Sequence, residues 1–142
     1  MNDTVRLLRE CDSGTKMAVS SIDDVLDKAV NTELSDLLTT SRRSHEKLGN
    51  KIHSLLEDYD TEDKEPAAMA KGMSWIKTNV KMTLKESDAT IADLITDGCN
   101  MGVKSLCRYL NQYDRADSVS KDICRDIIEI EDKLAYDLRS YL

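Results

Sequence analysis

Apolar residues recur along this chain at alternating steps of three and four, the spacing that gathers side chains onto one stripe of an α-helix. The clearest run lies between residues 32 and 59, where Leu34, Leu38, Ser41, His45, Leu48, Ile52, Leu55 and Tyr59 form a seam with a histidine at its middle. A second seam, Val5, Leu8, Asp12, Thr15, Val19, Ile22, Leu26 and Ala29, predicts a helix over residues 3–29 with Asn2 or Asp3 as its N-cap. Asn31 and Thr32 leave room only for a short turn and an N-cap, so these two helices should run antiparallel.

After Tyr59 the stretch DTEDKE has nothing to bury, and Pro66 suits the first turn of a new helix. Residues 66–85 set Met69, Met73, Ile76, Val80 and Leu84 on one side, with Trp75 beside them, and Lys77, Lys81 and Lys85 on the other. Ser87 can cap a further helix over 88–113. Its broad apolar face mixes Ala92, Gly98, Cys99, Gly102 and Ser105 with Ile91, Ile95, Leu106 and Leu110, and small residues let a neighbour approach closely. Residues 114–117 form a turn. Ser118 then caps a last helix to about residue 141, with the seam Cys124, Ile127, Glu131, Leu134, Leu138 and Tyr141.

Composition agrees with an all-α chain: 142 residues, enough for one domain over 1–142, hold one Pro, five Gly and no Phe, and 33% are charged. A net charge of -7 argues against nucleic acid, whose phosphates demand an excess of Lys and Arg. No run approaches the roughly 18 apolar residues of a membrane span, and the start MNDTVRLLRECD places charges where a signal peptide needs its apolar core. The expectation is a cytoplasmic protein that meets no membrane. Cys11, Cys99, Cys107 and Cys124 form no C-x-x-C pair, and Cys99 and Cys107 lie about 12 Å apart along one helix. They read as reduced core cysteines.

Four helices of roughly 25 residues span about 38 Å each, and the segment from Pro66 spans about 30 Å. If the first two helices form one hairpin and the last two another, that segment can carry the chain back along the bundle. The second helix and the helix from 88 would then run parallel, the four-helix bundle with one long crossover that defines ferritin-like topology. A plain up-down bundle of five helices fits the same pattern and is the alternative.

The phrases RECDSGTKMAVSSID, HEKLGNKIH, MSWIKTNVK and TDGCNMGVKSLCRYLNQY, with the order of elements, resemble a group of small bacterial ferritin-like proteins without an assigned activity. The likeness spans nearly the whole chain and implies fold more than function, because ferritin-like proteins include iron stores, oxidases and metal-free members. Di-iron bundles use paired Glu and Glu-x-x-His motifs. This chain departs from that pattern: no Glu-x-x-His occurs, and Asp93 and Asp97 fall on the polar side of their helix.

What remains is Asp12, His45 and Glu131, one seam residue from each of three helices. Two carboxylates and an imidazole suffice for one divalent ion, such as iron, manganese or zinc, with open coordination positions. The same three groups make an equally complete buried hydrogen-bond network with no metal, joined by Thr15, Ser41 or Lys16, because unpaired buried polar groups are costly. The network takes precedence over the ion, and both readings bring the three side chains together. His53, one residue off the seam, reads as an edge or surface histidine, and Cys11 as a core residue rather than a ligand. No Ser or Cys is tied by motif to a base and an orienting acid, which disfavours an enzyme. The second functional class is a non-enzymatic interaction module, a homodimer formed through Met73, Trp75 and Tyr109 or a partner with an acidic surface held at Lys77, Lys81 and Lys85.

Overall fold

The computed structural model describes residues 2–59 and 87–142. Among them are four α-helices, α1 (Asp3–Leu26), α2 (Thr32–Asp58), α3 (Asp88–Gln112) and α4 (Ser118–Asp137), and a terminal 3-10 turn, Leu138–Tyr141. No strand occurs among the described residues. Each helix starts at a residue whose side chain accepts from the backbone N–H three positions on: Asn2 from Val5, Asn31 from Leu34, Ser87 from Thr90 and Asp117 from Ser120. Such caps satisfy donors that a helix leaves open at its N-terminus. The last cap corrects the expectation for Ser118, which is instead the first helical residue; Asp117 has the extended backbone (φ -68°, ψ 167°) that an N-cap adopts.

Two sets of long-range hydrogen bonds fix the helix directions. The Asp88 carboxylate, at the start of α3, accepts from the backbone N–H groups of Val30 (2.9 Å) and Asn31 (3.0 Å) in the α1–α2 turn. At the opposite end, Arg115 N–H donates to Asp3 (3.2 Å) and Asp117 N–H donates to Thr4 Oγ1 (2.9 Å), tying the α3–α4 turn to the start of α1. Hence α1 and α4 run one way while α2 and α3 run the other. α1 packs on α2 and α3 on α4, and α1–α3 and α2–α4 contacts close the bundle.

The interior falls into two apolar clusters. Val5, Leu8, Cys11, Ile52, Leu56, Leu106, Cys124 and Ile127 belong to the cluster at the α3–α4 turn end. Ile22, Val25, Leu34, Leu38, Ile91, Ile95, Cys99, Leu134 and Leu138 fill the other end. Asp12, Thr15, Ser41, His45 and Glu131 are buried polar residues at seam positions between the two clusters along the helices.

The seams drift from a strict three-four alternation. α2 buries Leu56 rather than Leu55, and Tyr59 is exposed; α1 buries Leu7, Cys11, Ser21 and Val25 in addition to part of its predicted seam, and ends at Leu26 rather than Ala29. A straight helix advances 3.6 residues per turn, so a 3.5-residue stripe rotates by about 20° per heptad and the buried line shifts to the next residue. The last predicted helix tightens into a 3-10 turn at Leu138, which keeps that side chain buried. Residues 66–85, with Met73, Trp75, Lys77, Lys81 and Lys85, lie outside the described residues.

Candidate functional site

His45 reaches the interior from the middle of α2, where the 3.6-residue period places it on the buried face between Leu38 and Ile52. Its Nδ1 stands 2.8 Å from the Ser41 carbonyl oxygen, one turn back. A carbonyl can only accept, so Nδ1 carries the proton and donates there; the Ser41 hydroxyl lies 3.4 Å away. Nε2 therefore points across the bundle to Glu131 on α4, 3.6 Å from Oε1. That is ion-pair range but longer than a good hydrogen bond, about 2.7–3.2 Å. The imidazole is 1% exposed and Glu131 is 6% exposed. Both His45 Nε2 and Glu131 Oε2 are buried without a hydrogen-bond partner among the described residues.

Burial drives the Glu131 carboxyl above its ordinary value, and the nearby imidazole pulls it partly back. Glu131 in turn contributes to raising the Cys99 thiol, which burial above all pushes up to about 12. Gly102 on α3 makes room for the carboxyl: a Cβ there would fall 2.8 Å from Glu131 Cδ and Oε1. Only the absence of a side chain at residue 102 permits the two helices and this acid to share the space.

The pair lines a cavity of about 270 Å³. Met17, Ala18 and Ile22 of α1, Ile95 and Leu106 of α3 and Leu134 of α4 supply much of its apolar wall. Gly14, Gly98 and Gly102 also border it, where side chains would otherwise fill the gap. On its far side His45 also lines a larger cleft of about 520 Å³ between α1 and α2, where Asp12, Lys16, Asp23, Asp24 and Glu46 make a charged surround.

Of the three predicted site residues, the structure joins His45 to Glu131. Asp12 is equally buried, faces the α1–α2 cleft, and pairs with Lys16 Nζ at 3.0 Å, an i, i+4 partner on its own helix. Thr15 sits beside it, with its hydroxyl donating to the Asp12 carbonyl (3.0 Å). Among the described residues no group of three or more His, Cys, Asp or Glu is arranged to hold a metal ion.

His53 is exposed beside Glu57 (3.0 Å), at the surface position expected of it. Cys11 is a core residue whose thiol is held well above the ordinary thiol range by the neighbouring Cys124 and by burial. All four cysteines are free, and Cys107 is exposed, a correction to its expected core position. Tyr109 is part-buried, stacks on Tyr113 with ring centroids 6.0 Å apart, and borders the cavity. No described helix is long and apolar enough to cross a membrane.

The cavity went unseen in the sequence, although Gly98 and Gly102 of its border stand out there as small residues that let a neighbour approach. The available signal was Gly14, Gly98 and Gly102 together with Ala18, small residues on the facing sides of two helices. No protein-family model matches this chain, and no curated protein matches it either.

Proposed function

We propose that this protein is a ferritin-like bundle that binds a small, largely apolar molecule in the cavity between α1, α3 and α4, with His45 and Glu131 as its polar base. The observation that carries this reading is a pair of polar atoms, His45 Nε2 and Glu131 Oε2, without a hydrogen-bond partner among the described residues, on two side chains that line a largely apolar space. Each such atom costs about 1–3 kcal/mol when unsatisfied, and a ligand bearing one polar group would recover that energy on binding. Apolar walls with a few converging polar groups are the usual build of a small-molecule site. A mononuclear metal is the weaker reading, because the donors among the described residues converge as a pair. The ferritin-like assignment is supported by the shared direction of α2 and α3.

Calorimetric titration with 1-octanol tests the proposal, since that molecule has an apolar body and a single hydroxyl. One saturable site is expected. Ala18→Leu, which intrudes on the wall, should weaken it by about tenfold, the equivalent of two methylenes no longer buried. Absence of saturable binding by the unaltered protein overturns the reading.

A further inference from the structure

The cavity also carries information about the charge of what it holds. Its described lining includes two carboxylates, Glu10 and Glu131, and no lysine or arginine. Glu131 Oε2 is an acceptor without a donor among the described residues, on a residue more than nine-tenths buried. A carboxylic acid or phosphate in this space would bring a second anion against Glu131, whose one described counterpart, the His45 imidazole, is already turned to its Oε1, and burial enlarges that repulsion. A hydroxyl would supply a donor but no charge. An ammonium supplies up to three donors and a positive charge, and hydrogen bonds between ionised partners are roughly twice as strong as neutral ones.

Resting on the small-molecule reading above, we infer that the ligand is a small organic amine, its ammonium group on Glu131 Oε2 and its hydrocarbon body among Met17, Ala18, Ile22, Ile95 and Leu106. The volume, about 270 Å³, sits at the small end of ligand pockets, about 300–1,000 Å³, and suits a single short chain or ring rather than a two-chain lipid. Gly102 is part of the specificity: by leaving space beside Glu131 it admits the carboxylate that selects the cation.

Three probes of equal chain length separate the possibilities: n-octylammonium, 1-octanol and octanoate, each titrated calorimetrically into the whole protein at pH 7. n-Octylammonium should bind about tenfold tighter than 1-octanol, and octanoate weakest of the three. Glu131→Gln, close in size and uncharged, should remove that tenfold advantage and leave 1-octanol within about threefold of its original affinity. Octanoate binding as tightly as the amine, or an amine affinity untouched by Glu131→Gln, would overturn the amine assignment. Binding of 1-octanol in that case would leave the cavity reading standing. Failure of all three probes to bind would remove both.

Discussion

Replacing His45 with alanine is expected to destabilise the protein by about 3 kcal/mol at pH 8 and by clearly less at pH 5. The imidazole is fully buried and makes two sets of contacts, to the Ser41 backbone and toward Glu131. Truncation opens a hole and strips Glu131 of the one interaction that favours its charged form. Burial already raises this acid above the ordinary 4.5, and His45 is what opposes the rise.

Removing His45 sends the folded-state value further up. An acid whose folded value exceeds its unfolded one binds protons more readily when folded, so stability falls as pH climbs from the ordinary value through the raised one. Toward the low-pH end of that window folded Glu131 holds its proton with or without His45, so the loss reduces to packing and the Ser41 hydrogen bond. Urea unfolding of both proteins at the two pH values measures the difference. Equal losses at both would show that Glu131 does not depend on His45. Replacing both residues with leucine should cost less than His45→Ala alone, because an apolar pair leaves no charge stranded.

Gly102→Ala is expected to be the second most damaging change, at about 1–2 kcal/mol, even though alanine is the better helix former by about 1 kcal/mol. The methyl would stand 2.8 Å from Glu131 Cδ, and the carboxyl cannot swing away without leaving His45 or pushing into the core. In a Glu131→Ala background the obstruction is gone, so the same substitution should become stabilising by up to about 1 kcal/mol. A double-mutant cycle read by chemical denaturation isolates this coupling. Gly14→Ala is the control: its nearest neighbour would be Leu106 Cδ2 at 4.0 Å, ordinary contact, so only the gain in helix propensity remains. Equal responses at Gly14 and Gly102 would contradict the packing described for Glu131.

The helices were legible because their signals are local. Ser87 announces a helix start by residue type alone, whereas Asn2 and Asp3, like Asp117 and Ser118, are adjacent good caps, and only the backbone separates them. The approach of His45 to Glu131 was legible because a polar residue at the centre of an apolar seam must meet something across the bundle. Asp12 could find a partner without leaving its own helix, since Lys16 lies one turn away. That i, i+4 pair was present in the sequence and competes with any common centre. The cavity was not legible, because a run of small residues predicts close approach and open space equally well. What decides is the facing surface: Glu131 fills the space beside Gly102, while Gly14 and Ala18 leave theirs open. Such complementarity belongs to pairs of helices and leaves no mark on either one.

A small molecule bound in the cavity should reach the inward nitrogen of His45. The most direct measurement is the side-chain ¹⁵N spectrum of His45 during titration with 1-octanol. The Nε2 signal should shift saturably while Nδ1, held by the Ser41 carbonyl, stays in place. An Nε2 signal that remains fixed while 1-octanol binds would contradict it.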